Sequence, residues 1–388
     1  MLTDVRLATP SVNSDVLKVA VIQMAMGDYR RQFVQQLVKS ERLNCTFYVG
    51  EEYFKKSVRT DAEILATNRV KMVRNIYAFS RGVGFQIIKP WKVLQPDLVV
   101  IEYNPRVLTN WVWIIVRRVA RKRTLGWGHV WPRKGPESKT AFLRKIMLRM
   151  MDGLIVYTEQ QKKEAESSGG CAGKKVYVAP NALYSASFVR SICKPQITPE
   201  FRRDIISVGR LVAEKKPFVL INAFNEFLKN CDSDSRLHLV GDGPLREALS
   251  SRVDELGLRG RVRFHGHVSD PGVLAGLYAV SAVSVVPGFA GLSVTQSLIF
   301  GCPVLVSKNE DHAPEVVLLD DDRSRSQYFD TDNEAALAKL IEAYVQNESL
   351  TEADREAIVD YALDKFSVDA MTEGFLSAVE GCLADASR

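Results

Sequence analysis

Short, continuous apolar runs recur along the chain, and they do not alternate with polar residues. In the first half they fall at residues 17–22, 46–49, 98–101, 124–127, 154–157 and 176–178. In the second half they fall at 205–208, 237–240, 262–264, 283–286 and 304–306. Unbroken runs of this length suit parallel strands buried on both faces. Helical patterns separate them, for example 29–40 and 111–121, and a face formed by Phe218, Ile221, Phe224 and Leu228. Strands alternating with helices predict an α/β fold. Between 184 and 203 no period is visible, and Pro195 and Pro199 mark a linker. A chain of 388 residues exceeds what one core usually organises. The expected division is a loose leader over 1–16, a first domain over 17–190, a linker over 191–203, a second domain over 204–365 and a final helical segment over 366–388. Thr351-Glu352-Ala353-Asp354 has the form of a capping box, and Ser367 is placed to cap a last helix reaching about Leu383.

The ends of the second-half runs carry the candidate chemistry. Gly209-Arg210-Leu211-Val212-Ala213-Glu214-Lys215 follows one apolar run and precedes Pro217 and a helical pattern. Strand, glycine turn, two cations and helix is how a doubly wound sheet presents a polyanion site at its carboxyl edge. Arg210 and Lys215 can converge on a diphosphate there, each charge-assisted hydrogen bond being worth roughly 1.5–3 kcal/mol. A basic loop that merely solvates itself has the same sequence. Further along come Gly241-Asp242-Gly243, His265-Gly266-His267-Val268 and Pro287-Gly288-Phe289-Ala290-Gly291-Leu292-Ser293. Gly301-Cys302-Pro303 and His312-Ala313-Pro314-Glu315 close the set. Gly291, Leu292 and Ser293 open a helical pattern, and the free N–H groups of a helix start favour phosphate. Ser293 either adds a hydroxyl to such a site or serves only as the cap.

In order and spacing these motifs resemble the carboxyl-terminal domain of family-four glycosyltransferases, the retaining nucleotide-sugar enzymes of GT-B fold. The resemblance is strong over roughly 200–320 and weaker in the first half. It implies two Rossmann-like doubly wound domains facing a cleft, the final helix crossing back onto the first. It also implies a hexosyltransferase that moves a sugar from a nucleoside diphosphate sugar to an acceptor hydroxyl with retention at the anomeric carbon. The elements Pro-Gly-x-x-Gly-Leu and His-x-Pro-Glu resemble a branch among bacterial surface-polysaccharide transferases, which suggests polysaccharide or glycolipid synthesis. Two other readings stand beside this one: a nucleotide-sugar epimerase of the same fold, and a non-catalytic glycosyltransferase-like binding subunit.

By the same resemblance, Arg210 and Lys215 stabilise the departing diphosphate electrostatically. Gly209, Gly241 and Asp242 border the donor. Backbone around His267 and Val268 meets the nucleobase, Gly291, Leu292 and Ser293 hold phosphate, and Gln296 holds ribose. The chain departs from the family at three positions. Lys216 stands where a glycine is usual and adds a third cation. Gly288 and Gln296 stand where the family has two glutamates. Gln296 can still pair with hydroxyls, whereas Gly288 offers no side chain. His312 or Glu315 could take over a contact to the donor sugar; a loop histidine bonded to backbone is the other reading of His312. In the first half, Gly126-Trp127-Gly128-His129 ends a strand at the implied cleft. His129 there would contact donor sugar, orient the acceptor hydroxyl or be structural. The loops holding Gly27, Tyr29 and Arg30, and Asn104 and Arg106, are acceptor-side candidates.

Charge then separates the halves. Residues 1–190 hold 32 Lys and Arg against 15 Asp and Glu, a net of +17; residues 191–388 hold 20 against 31, a net of −11. The asymmetry predicts an anionic partner for the first half. Arg117, Arg118, Arg121, Lys122 and Arg123 follow Trp111 and Trp113, and Arg133, Lys134, Lys139, Arg144, Lys145 and Arg149 come soon after. Cations beside aromatics suit an anionic membrane surface, or they form an ordinary solvated face; no nucleic-acid motif accompanies them. The six cysteines have no metal-ligand spacing and read as reduced cytosolic thiols. Asp232-Ser233-Asp234 precedes its strand and reads as a turn, and Asp320-Asp321-Asp322 as a charged loop, so no metal and no cofactor beyond the sugar nucleotide is expected. The first sixteen residues lack the apolar segment of a secretory signal. The longest apolar run, 111–116, is too short to span a bilayer. A cytoplasmic protein, peripheral at the cytoplasmic face of the membrane, is the expectation.

Overall fold

A computed structural model describes residues 16–384 except 55–57, 133–134, 139, 168–170, 172, 193–201, 232 and 347–349. Residues 1–15 of the expected leader, most of the expected linker, Arg133, Lys134, Lys139, Cys193 and Asp232 therefore lie outside the described residues. In the first half the strands are β1 (Leu17–Gln23), β2 (Leu43–Val49), β3 (Val70–Met72), β4 (Arg74–Ala78), β5 (Val83–Ile87), β6 (Leu98–Glu102), β7 (Arg123–Trp127), β8 (Gly153–Val156) and β9 (Lys175–Val178). Seven of them form one parallel sheet in the order β3-β2-β1-β6-β7-β8-β9, while β4 and β5 pair as a separate antiparallel hairpin. The second half contributes β10 (Asp204–Val208), β11 (Leu237–Val240), β12 (Val262–Gly266), β13 (Ser281–Val286), β14 (Val304–Ser307) and β15 (Gln327–Phe329). These form a second parallel sheet in the order β12-β11-β10-β13-β14-β15. Central strands such as β8 and β13 are buried at every position, as continuous apolar runs require.

Strand order reverses between β1 and β6 in the first sheet and between β10 and β13 in the second. A doubly wound sheet opens a crevice at such a switch point, beyond the carboxyl ends of its strands. Each domain thereby presents its crevice-forming loops at one edge. The fold is α/β with two Rossmann-like domains, the architecture called GT-B. The segment 50–97, without a clean apolar period, holds the short helices Ala62–Leu65 and Pro90–Leu94, β3 and the hairpin.

Two elements tie the domains together. The helix Ala186–Ile192 starts the passage between them. The last helix, Val368–Ala384, packs on the first sheet although it follows the second domain. Ser367 Oγ accepts from the Ala370 N–H at 3.1 Å and so caps it. Its Met371, Phe375, Leu376 and Val379 join one core with Phe33, Val100 and Trp127. A Cβ on Gly374 would lie 2.1 Å from the Val178 carbonyl oxygen, so only glycine lets the helix touch the end of β9.

The expected basic surface is corrected at Arg117. This side chain is fully buried on the inner face of the helix Leu108–Val119. Its guanidinium donates to the backbone oxygens of Val93, Pro96, Asp97 and Arg123. Arg117 therefore fastens a helix to the sheet and takes no part in a surface charge cluster.

Candidate active site

The second-domain wall of the cleft is made by loops lying on one another's backbone. Gly241, after β11, has φ +130°, and a Cβ there would fall 2.0 Å from the Gly209 oxygen. A Cβ on Gly288, after β13, would fall 2.3 Å from the Glu214 oxygen. The space a glutamate would need at Gly288 is thus filled by the loop after β10. The Phe289 N–H donates to the Glu214 oxygen at 2.8 Å, and Lys215 Nζ donates to the Phe289 oxygen at 2.7 Å. Lys215 is thereby held beside the start of the helix Leu292–Ile299. Gly291 caps that helix without a side-chain bond, and Ser293 lies one residue inside it, so Ser293 is not the cap. Its Oγ is buried with no hydrogen-bond partner among the described residues, a cost that a ligand oxygen would remove. Arg210 is exposed.

Lys216 does not act as a third cation. It adopts a left-handed conformation with φ +48°, which explains why a glycine is usual at this place. Its ammonium pairs with Glu310 at 2.7 Å and Asp332 at 2.8 Å. His312 is also occupied: Nδ1 accepts from the Ala290 N–H at 3.0 Å and Nε2 donates to the Ser307 oxygen at 2.6 Å. It fixes the loop before the helix Leu292–Ile299. Glu315 is 2% exposed. One carboxylate oxygen accepts from Asn181 at 2.9 Å, and the other has no partner among the described residues. Burial pushes its pKa up. The Asp242 carboxylate accepts from the Gly243 N–H at 2.8 Å and shapes its own turn.

The first-domain wall is made of side chains. A cavity of about 210 Å³ beyond the ends of β1, β6, β7 and β8 is lined by Tyr29, Arg30, Glu102, Asn104, His129 and Arg144, among others. Glu102 Oε1 accepts from Tyr53 at 2.8 Å and from Asn104 at 2.9 Å. Burial first, then Glu102, holds the Tyr53 hydroxyl in its protonated form. Arg144, expected on a basic surface, instead reaches into this cavity and donates to the backbone oxygens of Tyr103 at 2.8 Å and His129 at 2.7 Å. The His129 ring opens on the cleft and packs edge-on against Tyr157 at 4.8 Å. Gln161 Nε2 donates to its Nδ1 at 3.2 Å, which leaves the proton on Nε2. Desolvation by the surrounding cleft walls, then Arg144 and Arg30, pushes its pKa down, so the ring is neutral at pH 7 although the residue stays exposed on the cleft side. Arg30 stacks on Trp127 at 4.8 Å.

Two larger cavities join the walls. One, of about 630 Å³, runs from His129 and Gln161 to Phe289 and His312. The other, of about 760 Å³, brings His267, Val268 and Gln296 together with Tyr29 and Tyr184.

Residues 192–364 match the sequence family described as Glycosyl transferases group 1. The match falls on the second domain. Among curated relatives, the chain is 35% identical over 109 residues to a GDP-mannose-dependent alpha-(1-6)-phosphatidylinositol dimannoside mannosyltransferase of Mycobacterium tuberculosis, covering 27% of each chain. It is 26% identical over 247 residues to a GalNAc-alpha-(1->4)-GalNAc-alpha-(1->3)-diNAcBac-PP-undecaprenol alpha-1,4-N-acetyl-D-galactosaminyltransferase of Campylobacter jejuni, covering 61% of this chain and 62% of the relative. The chain thus spans between 27% and 62% of the length of these two relatives. Among solved structures it resembles Anabaena HepE in complex with UDP, at TM-score 0.66 and 17% identity over 94% of this chain and 100% of that one.

Set against this group 1 frame, the sequence-derived residues divide clearly. Gly209, Gly241, Lys215, Gly291, Leu292 and Ser293 meet at the stacked loops, and His267, Val268 and Gln296 share one cavity. Gly27 precedes the Tyr29 turn, and a Cβ on it would fall 2.7 Å from the Tyr29 ring. Arg106 turns away from the cavity to the Arg81 and Gly82 oxygens, at 2.9 and 2.7 Å. Asn104 spends both amide atoms within the wall, on Tyr53, Glu102 and the Arg106 N–H. Glu102, Tyr53, Tyr157, Gln161 and Tyr184 were not legible as site residues. Position is the one signal two of them carry, Glu102 ending β6 and Tyr157 directly following β8.

Proposed function

We propose that the chain is a retaining glycosyltransferase that moves a sugar from a nucleoside diphosphate donor to an acceptor hydroxyl. The observation that carries this reading is Lys215, held by the Phe289 oxygen at 2.7 Å beside a helix start that has no side-chain cap and a Ser293 hydroxyl with no partner among the described residues. Such a place suits a diphosphate. When the anomeric carbon–oxygen bond breaks, the electron pair stays on the diphosphate, and Lys215, Arg210 and the helix N–H groups stabilise it. Charge neutralisation by two cations makes a divalent metal unnecessary in this scheme. His129, neutral and with its proton on Nε2, donates toward the sugar or acceptor in the cleft. Gln296 pairs with ribose hydroxyls, next to the backbone of His267 and Val268 at the base. The side-chain cavity around Glu102 and Arg144 holds the acceptor. Relatives named for phosphatidylinositol- and undecaprenol-linked substrates support a lipid-linked glycan acceptor, and the net charge of +17 over residues 1–190 supports its presentation at an anionic membrane surface.

The test is a thermal-shift screen of UDP- and GDP-sugars followed by product analysis. A donor at a hundred times its dissociation constant should stabilise the protein by about 2.7 kcal/mol. The product should contain a new glycosidic bond of unchanged anomeric configuration. Stabilisation by no sugar nucleotide, an inverted product, or an epimerised sugar without a new bond would each overturn the reading.

A further inference from the structure

The three cavities of the cleft form a row. The small one around Glu102 shares Tyr29 with the cavity of about 760 Å³, and shares His129 and Arg144 with the cavity of about 630 Å³. The two large cavities have no lining residue in common. The small cavity is therefore the junction. On one side lie the residues proposed for base and ribose. On the other lies the 630 Å³ cavity, which that assignment leaves unused. Two substrates that react meet at the junction, so this far cavity is where the rest of the second substrate extends.

The lining selects its occupant. Three carboxylates, Glu164, Asp311 and Asp320, stand against one cation, Arg144, whose guanidinium already donates to the Tyr103 and His129 oxygens. Carboxylates accept hydrogen bonds from hydroxyls, and a cavity in which they outnumber cations disfavours phosphate. Trp131, Phe289 and Tyr328 add flat apolar surface. The Lys145 ammonium lies over the Trp131 ring at 5.4 Å, and the Tyr328 hydroxyl donates to the Val316 oxygen at 3.2 Å, so both rings are held in the wall. A cavity of this size, with polar groups set among apolar walls, has the build of a small-molecule site. Hydroxyl edges and apolar C–H faces together describe a neutral sugar ring.

We propose that this cavity is a glycan subsite that holds the uncharged sugar next to the one receiving the transfer, so that the acceptor is an oligosaccharide end whose penultimate unit is neutral. Trp131 and Glu164 come from the first domain, whereas Asp311, Asp320 and Tyr328 come from the second, after β14 and on β15. The domain proposed to hold the donor thus also reads the acceptor. A uronic acid or a phosphate-bearing unit is turned away from this position by the carboxylates. Calling the occupant the acceptor rests on the proposed transfer reaction; affinity for a neutral glycan rests on the cavity alone.

The experiment is calorimetry and saturation-transfer NMR of the full chain with maltotriose, mannotriose and chitotriose, with the matching monosaccharides, and with an anionic hyaluronan tetrasaccharide. At least one neutral trisaccharide should bind about tenfold more tightly than its monosaccharide, the scale of one aromatic contact. The hyaluronan should not bind. Trp131→Ala and Asp311→Asn should each remove most of the preference for the trisaccharide. Asp311 is exposed, so Asp311→Asn should keep the parent's thermal midpoint and carries the test if Trp131→Ala is unstable. D311K/D320K should admit the hyaluronan. Binding of no neutral trisaccharide, a preference retained in Asp311→Asn and in folded Trp131→Ala, or competition between a trisaccharide and a sugar nucleotide would each overturn the proposal. Trisaccharide binding without glycosyl transfer would leave the subsite standing and count against the proposed reaction. Transfer to a monosaccharide as efficient as to its trisaccharide would do the reverse.

Discussion

The two walls of the cleft are built of different material. The second-domain wall is main chain: glycines at 241 and 288 let loops lie within bonding distance, and a helix start supplies N–H groups. The first-domain wall is side chain: Tyr53, Glu102, Asn104 and Arg144 are gathered from a strand end, loops and a helix. A main-chain wall demands glycine at fixed spacings and tolerates little change. A side-chain wall can exchange its members one at a time. The wall proposed for the invariant part of the substrate, a diphosphate, is therefore rigid, and the wall proposed for the acceptor is adaptable.

The comparison breaks first at the cations. Arg210→Ala and Lys215→Ala should each cut turnover by about a hundredfold or more, the scale for losing one preorganised stabiliser. Parent-like turnover in both, measured with the donor identified by thermal shift, would remove the diphosphate from this wall. Gly288→Ala should destabilise the protein by about 1–3 kcal/mol, the usual cost of overpacking. Gly288→Glu, which restores the family's residue, should bind donor more weakly than the parent in calorimetry, since the loop at Glu214 fills that space. A more active Gly288→Glu would show that the loop yields.

The side-chain wall should respond differently. Arg144→Ala should raise the acceptor KM by about tenfold, the lower end for charge-assisted hydrogen bonds, and leave donor affinity unchanged. Acid should weaken both walls. The imidazoles of His129, His265 and His312 all have lowered pKa, desolvation being the first cause in each. Below about pH 6.5 the unfolded chain binds more protons than the folded one, so stability should be flat above that pH and fall as pH drops through it. Thermal midpoints between pH 7.5 and 4.5 measure this, and His129→Gln should remove one share of the slope. The smallest effect expected is that of EDTA, which should leave turnover unchanged; loss restored by magnesium or manganese would contradict neutralisation by Arg210 and Lys215 alone.

The difference between the walls also governs what could be read from the chain. The stacked loops announced themselves, because close backbone approach writes glycines and cations into a short run after each strand. Parallel strands were legible for a related reason, as unbroken apolar runs. The acceptor cavity left no such trace. Glu102 and Arg144 are 42 positions apart in sequence and meet only because β6 and β7 are neighbours in the sheet. Sequence also misjudged cations whose partners are distant. Arg117 looked like surface charge because the four backbone oxygens around it leave no mark on composition. Lys216 looked free because Glu310 and Asp332 lie about a hundred residues away. The hairpin of β4 and β5 escaped notice since neither strand alternates cleanly.

The last helix has a consequence for taking this molecule apart. The core beneath Trp127 is completed by Met371, Phe375 and Val379, supplied after the chain has already finished the second domain. Exchanging donor domains between two such proteins at one junction near 200 would strip that packing and replace it with a foreign helix. A functional hybrid needs two junctions, the second near Ser367, so that Val368–Ala384 stays with the sheet it covers. In recombination terms the second domain is an insertion, and the first is the host that encloses it.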